Sequence, residues 1–232
     1  MEDVMARLRG NVLGQLRGTL GNFYAREIDG ETFLSSRAES YHLPVDPDSI
    51  VKRKQFAVTG RFAKLVNSLP VLKTVWKHTA GKSTSPYNVI CKYNYHFASV
   101  DRPTLQNIIS PEGFYFIPAA ISFDWEKITV ELPSLIESVE TSENETRLSV
   151  NLIICLFEPE SEKKNLIDLM GFTNEIPDFD FSKGGCISIE LTDGEKERAG
   201  RYQKSILYLA LVTKKTDGEI CQHSSTYSAA IG

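Results

Sequence analysis

The triplet Gly81-Lys82-Ser83 has the residue types that end a phosphate-binding loop. That motif needs a further glycine five residues before Gly81, where this sequence has Trp76, and it needs a strand before the loop. The periodicity instead predicts a helix before Gly81, so we interpret these residues as a helix end followed by a polar linker. We therefore expect no nucleotide site here.

Two carboxylates alternate with two phenylalanines in Asp178-Phe179-Asp180-Phe181. In extended chain both carboxylates lie on one face, an arrangement suited to weak calcium binding or to acid–base chemistry. We favour a solvated loop anchored by its phenylalanines, because no other acidic residue is fixed nearby.

The remaining residues with metal-binding or nucleophilic side chains are scattered. They are His42, His78, His96 and His223, together with Cys91, Cys155, Cys186 and Cys221. The histidines lack the close spacing of a metal site. The cysteines form no C-x-x-C pair, which predicts reduced thiols rather than a zinc site or a disulfide scaffold. We therefore predict no catalytic, cofactor or metal site and no enzymatic activity.

Charge is unevenly distributed along the chain. Residues 1–102 carry 15 basic and 9 acidic side chains, a balance of +6, and the rest carry 11 and 21, a balance of −10. Complementary ends favour head-to-tail contact between copies, although two ordinary domains of different charge give the same asymmetry. Lys52-Arg53-Lys54, with Arg61 and Lys64, could touch phosphates. Their place opposite an apolar helix face and the net charge of −4 argue against a nucleic-acid partner.

Helical spacing of apolar residues places three helices in the first half of the chain. The first runs from Asp48 to Leu69, the second from Ser68 to about Thr79, and the third begins at Ser85-Pro86. Prolines mark the tight turns between them. These helices predict a compact helical layer.

After Pro103 the apolar residues alternate, as in strands. The predicted strands are Ile121–Trp125, Ile128–Leu132, Arg147–Phe157, Cys186–Leu191, Ile206–Val212 and Ile220–Ile231, with turns at Asp193-Gly194 and Asp217-Gly218. Six or seven short strands are typical of an antiparallel, immunoglobulin-like β-sandwich. The predicted fold is therefore α+β: an N-terminal β-hairpin region over 1–40, a three-helix layer over 41–104, and the sandwich over 105–232.

The stretch from Arg9 to Tyr24 holds four glycines and does not fit an amphipathic helix. Extended chain with bulges fits it better, and Asp29-Gly30 adds a hairpin signal. Such a segment is marginal alone and needs a surface to lie on. We expect that surface to be a neighbouring copy, with folding back onto the chain's own helices as the alternative. The predicted assembly interface consists of Arg9, Gly10, Gly14, Leu16, Arg17, Gly18, Leu20, Gly21, Phe23 and Arg26.

Both ends of the chain resemble an uncharacterised bacterial, Bacteroidetes-type and phage-like family. Gly14–Asn22 is similar to that family's glycine-rich start, and Arg53-Lys54-Gln55-Phe56 occupies the place of its R-x-K-F helix. Trp76-Lys77, Ser85–Asn88 and Leu207–Gly232 are similar to its later motifs. The resemblance implies the layout given above and brings no known activity.

These observations predict a non-enzymatic structural subunit that assembles into a virion-like or phage-like particle or a filament, with other copies of itself or sibling structural proteins as partners. The alternative is a soluble module that recognises a protein or polymer through the sandwich loops, for which Tyr93, Tyr95, Phe114, Tyr115 and Phe116 are candidates. We expect no cofactor and no membrane span. Residues 1–7 show no secretory signal, so we expect synthesis in the cytoplasm, with a virion or assembled particle as a final location consistent with this role.

Overall fold

The computed structural model describes residues 18–28, 30–36, 44–81, 84–140, 142, 144–160 and 165–231. The chain divides into two compact units, residues 1–46 and residues 47–232. Four helices and eleven antiparallel strands lie within the described part. The fold class is therefore α+β, with strands predominating.

The first unit contains a small sheet of three antiparallel strands in the order β1-β2-β3. Its strands are β1 (Gly18–Leu20), β2 (Phe23–Ile28) and β3 (Glu31–Ser36). Gly21 and Gly30 lie in the two connections with φ of 58° and 80°, a backbone region that glycine enters without steric cost. The predicted hairpin is present as the antiparallel pair β2 and β3 with Gly30 in its turn, and Asp29 lies outside the described residues.

Four helices lie in the second unit: α1 (Pro47–Ser68), α2 (Pro70–Thr79), α3 (Pro86–Asn94) and α4 (Asp193–Ala199). The first three begin with proline, whose fixed φ suits the first helical turn. The side chain of Ser85 caps α3 by accepting a hydrogen bond from the amide of Asn88. Thr192 and Glu195 form a reciprocal capping box on α4.

The other eight strands form two sheets. A three-stranded sheet has the order β4-β5-β8, and a five-stranded sheet has the order β10-β9-β6-β7 with β11 also paired to β9. Their bounds are β4 (Ala120–Phe123), β5 (Lys127–Leu132), β6 (Glu145–Pro159), β7 (Ile167–Ile176), β8 (Gly185–Glu190), β9 (Tyr202–Lys215), β10 (Ile220–His223) and β11 (Tyr227–Ile231).

The five-stranded sheet is the central layer of the second unit, because both faces of its long strands β6 and β9 are buried. On one face, Leu152 and Leu209 share a core with Ile128, Val130 and other residues of the three-stranded sheet. The opposite face packs against the helices.

The helical core contains side chains from α1, α2 and α3 and from the opposite face of β6 and β9. Phe62, Trp76 and Ile90 lie in one buried cluster with Ile153 and Tyr208. The rings of Phe62 and Tyr208 meet edge to face, with centroids 5.2 Å apart. The order of layers is therefore helices, five-stranded sheet, three-stranded sheet.

A buried asparagine at the end of α3 joins that helix to the segment that follows it. The Nδ2 of Asn94 donates to the carbonyls of Ile90 and Ile108, each at 3.0 Å. Its Oδ1 accepts from the amide of Ile108 at 2.7 Å and from Nδ2 of Asn107 at 3.0 Å. Both donors and both acceptor sites of this amide are thus used.

The structure corrects four details of the strand prediction. Strand β7 and helix α4 were not predicted, and α4 occupies the position expected for a turn at Asp193-Gly194. The strand expected over Ile220–Ile231 is broken into β10 and β11. Trp125, predicted to end the first strand, has φ of 69° and lies outside β4. The chain turns there, and the Asp124 carboxylate accepts hydrogen bonds from the amides of Glu126 and Lys127.

Candidate functional site

The residues first considered for chemistry lie at separate places in the described part of the chain, and His42 lies outside it. Gly81 follows the end of α2, as expected for a helix terminus, whereas Lys82 and Ser83 lie outside the described residues. His78 and His96 are exposed. Over the described ranges, no group of three or more His, Cys, Asp or Glu side chains could hold a metal ion.

The two aspartates of residues 178–181 differ, since Asp178 lies in a turn with φ of 51° and Asp180 has local partners. The Oδ1 of Asp180 accepts from the Ser182 hydroxyl at 2.5 Å, and its Oδ2 pairs with Lys183 at 2.8 Å. These contacts lower the pKa of Asp180 to about 2. Phe181 is buried and its ring meets Phe179 edge to face at 5.1 Å. This is the anchored loop that the sequence favours, with Asp180 engaged in local contacts.

Three cysteines lack the electrostatic surroundings of a nucleophile. Burial raises the pKa of the Cys155 thiol to about 12 and also raises the pKa values of Cys91 and Cys221. A thiol attacks as its thiolate, so a raised pKa lowers reactivity. Cys186 is exposed on β8, and all four thiols are free.

Half of the predicted assembly interface falls in the described small sheet. Gly18 and Leu20 lie in β1, Gly21 in the turn, and Phe23 and Arg26 in β2. Gly18 and Gly21 have positive φ, 103° and 58°. The other predicted interface residues, Arg9, Gly10, Gly14, Leu16 and Arg17, lie outside the described residues.

The small sheet displays aromatic side chains on both of its faces. The register pairs Ala25 with Leu34 and Arg26 with Phe33, so Phe23 and Ala25 share one face and Tyr24 and Arg26 share the other. Phe23 is 52% exposed and Tyr24 49% exposed. Among the residues of this sheet whose burial is described, which exclude Leu20 and Ile28, Ala25 is the buried one.

Within the described part of the chain, β1 and β3 are the outer strands of the small sheet. β1 and β3 each pair with β2 on one side. A free edge presents backbone donors and acceptors that another strand can pair with. The exposed aromatic side chains and the outer strands are therefore the features of this sheet that a second chain could contact.

A second feature is an open groove of about 480 Å³ on the outside of the helical layer. It is lined by Phe56, Tyr87, Asn88, Cys91, Lys92, Tyr95 and His96. Phe56 of α1 is 56% exposed. We call this feature the α1–α3 groove. Sequence reasoning did not find it, since the aromatic residues that line it look like ordinary members of two separate helices.

The aromatic residues proposed for loop recognition do not form one exposed cluster, although the rings of Phe114 and Phe116 lie 6.4 Å apart. Phe116 is buried in the core between the sheets, Tyr93 packs edge to face on Trp76 at 5.5 Å, and Tyr95 lines the α1–α3 groove. Tyr115 is 70% exposed. Phe114 is partly buried against the sheet core.

The basic residues of α1 are displayed on its outer side. Lys52, Lys54 and Lys64 are exposed, and Arg53 is half-buried. Arg61 donates from Nη2 to the carbonyl of Ile167 at 3.4 Å. The buried face of α1 contains Val58, Thr59, Phe62, Ala63 and Val66, so the predicted amphipathic arrangement is confirmed.

None of the helices in the described ranges has both the length and the apolar character that crossing a membrane requires. The chain matches no protein-family profile, and no characterised protein shows significant similarity to it.

Proposed function

We propose that this chain is a non-enzymatic structural subunit that self-associates through its N-terminal sheet. The observation that carries the proposal is the exposure of Phe23 and Tyr24 on opposite faces of a small three-stranded sheet, in which Ala25 is the one buried residue among those with described burial. A small sheet without a core needs further packing to be stable. A neighbouring copy, or a sibling structural protein, supplies it.

The energetic gain from covering these rings is modest for each contact. Fully burying a large apolar side chain stabilises by about 1.5–3 kcal/mol. Phe23 and Tyr24 are about half exposed, so covering each ring contributes about 1 kcal/mol. Two subunits joined through this sheet alone therefore associate reversibly. Association becomes strong when every subunit makes several such contacts.

Charge supports the same partner. The chain has a basic first part and an acidic second part, and Arg26 is exposed on β2. Arg9, Arg17 and Arg26 of one copy would meet the acidic part of the next, which makes association weaker at high salt. A virion-like or phage-like particle or a filament is the type of assembly that we propose, in keeping with the resemblance to the Bacteroidetes-type family. The finer topology, an immunoglobulin-like sandwich, is part of this proposal and draws support from the core shared by the two larger sheets.

The second candidate function is recognition of a protein or polymer through the sandwich loops. Tyr115 and Ile117, 70% and 54% exposed in the segment before β4, favour it. Exposed aromatic side chains outside a core are typical of binding surfaces.

Sedimentation of the full chain and of its variants tests whether the small sheet or the loop surface around Tyr115 mediates self-association. We expect wild-type protein to associate with rising concentration, and Phe23→Asp with Tyr24→Asp to shift it toward monomer. Tyr115→Asp is the matched control, since this ring is exposed and lies in the other unit. A wild-type chain that stays monomeric at all accessible concentrations would overturn the proposal.

A further inference from the structure

The α1–α3 groove combines apolar surface with positive charge. As far as the described residues show, its lining includes Lys92 and His96 and no carboxylate. Lys52 is exposed one helical turn before Phe56 and extends the positive rim. A groove of this composition suits an occupant with a large apolar side chain next to acidic residues.

The same chain displays such a segment after β5. Ile136 is 57% exposed between two buried neighbours, Leu135 and Val139. The amide of Leu135 donates to the carbonyl of Phe181 at 2.9 Å, so the base of the loop is fixed. Glu137 and Glu140 are exposed beside Ile136. We call residues 133–140 the acidic loop.

The sequence around the acidic loop has one sign of charge. Its acidic residues from 131 to 145 are Glu131, Glu137, Glu140, Glu143 and Glu145, and the same stretch has no lysine or arginine. Such a stretch repels acidic surfaces and is attracted to basic ones, within about 8–10 Å at ordinary ionic strength. The charges of the loop and the groove are therefore complementary.

One copy cannot place its own acidic loop in its own groove. Leu135 belongs to the core between the five-stranded and three-stranded sheets, whereas Cys91, at the base of the groove, belongs to the helical core on the opposite face of the five-stranded sheet. The groove and the loop thus lie on opposite sides of the central layer. The occupant from this chain has to come from a second copy.

We propose that Ile136 of one copy inserts into the α1–α3 groove of the next, with Glu137 and Glu140 facing Lys92 and Lys52. This inference rests on the proposed self-association and names a second contact for it. The contact joins two different surfaces, so it is head-to-tail. Repetition of such a contact produces a ring when the rotation closes and a filament when it does not.

Charge reversal in the full chain tests the pairing. Lys92→Glu and Glu137→Lys, each alone, should weaken association at least tenfold in sedimentation or light scattering. An equimolar mixture of the two variants should recover it, because each reversed groove then meets a reversed loop. The matched controls are Lys73→Glu and Glu126→Lys, which reverse exposed charges outside both surfaces and should change association less than twofold.

Apolar substitutions test the insertion itself. Phe56→Asp and Ile136→Ser should each weaken association at least tenfold, and circular dichroism should show that both variants remain folded. Association unchanged by these two variants, or charge-reversed variants that fail to recover on mixing, would overturn the inference. A fluorescent single-stranded oligonucleotide bound by wild type and lost in Phe56→Asp would assign the groove to nucleic acid and also overturn it.

The outcomes separate this inference from the proposed function. Association sensitive to Phe23→Asp but not to Lys92→Glu would leave the N-terminal sheet as the interface and refute the groove contact. Association sensitive to Lys92→Glu but not to Phe23→Asp would support the groove contact and refute the N-terminal interface.

Discussion

Replacing Asn94 with leucine tests whether the amide at the end of α3 holds this part of the fold. Leucine has a similar volume, so water gains no room to replace the lost hydrogen bonds. The amide and the carbonyl of Ile108 each lose the partner described above. A buried polar group left without a partner costs about 1–3 kcal/mol, so the two together cost about 2–6 kcal/mol. Domains have a total stability of about 5–15 kcal/mol, so this loss should be large.

Urea denaturation followed by circular dichroism measures this loss, with Asn88→Leu as the matched control. Asn88 lies in the same helix and is exposed, so its replacement should change stability by less than about 0.5 kcal/mol. Asn88 also lines the α1–α3 groove, so this variant is a control for stability and not for association. Tyr95 and His96 directly follow Asn94 and line the α1–α3 groove, so Asn94→Leu should also weaken association. A variant within about 1 kcal/mol of the control would refute the reasoning about the amide.

Asn94→Asp adds a pH signature to the same test. The new carboxylate would place an oxygen against the carbonyls of Ile90 and Ile108, both acceptors, so burial and repulsion should raise its folded pKa above the usual value of about 3.9. A raised folded pKa means that the stability contribution is complete below the unfolded pKa and is lost as pH rises through the folded value. The deficit relative to wild type should therefore be smaller at pH 4 than at pH 7. Equal deficits at both values would contradict this account.

Two further predictions concern His223 and its contact with Gly113. Burial lowers the pKa of His223 below 6.5, so its contribution to stability is complete above pH 6.5 and is lost as pH falls through the lower folded pKa. His223→Gln should remove this part of the pH dependence in a series of thermal melts. His96→Gln, at an exposed position, should leave it unchanged. A Cβ on Gly113 would lie 2.0 Å from the carbonyl oxygen of His223, so Gly113→Ala should destabilise the protein by about 1–3 kcal/mol. Gly194 has open space around it, so Gly194→Ala should show no such loss. Equal melting temperatures for the two variants would contradict the steric argument.

Much of the fold follows from local pattern. α1 and α2 have clear apolar spacing and proline starts, and the alternation of Leu148, Val150, Leu152 and Ile154 marks β6. Strand β7 was missed because Gly171 interrupts its apolar residues and most of its side chains are only half-buried. Helix α4 was missed because Asp193-Gly194 is a common turn pair and its seven residues are too few for periodicity.

The candidate site shows the limit of local pattern more clearly. The glycine content of this stretch favours extended chain with turns over a helix. The structure agrees, since Gly18 and Gly21 both have positive φ, which glycine adopts readily. The α1–α3 groove exists only because Phe56 and Tyr87, thirty-one residues apart in the sequence, become neighbours when their helices pack side by side. The acidic loop likewise has an exposed isoleucine between the buried Leu135 and Val139, and residue order does not reveal which of these three nearby apolar residues faces water.

The doubly buried central sheet also has a kinetic consequence. The helices have their core partners on β6 and β9, and Tyr208 donates its hydroxyl to the carbonyl of Thr104 across 104 positions of sequence. The amide of Ile109 donates to the hydroxyl of Thr226 across 117 positions. Chains with such distant contacts fold slowly, because loop closure must precede the stabilising contacts. Residues 47–232 should therefore refold slowly, and the self-association that we propose for the small sheet should compete with this folding.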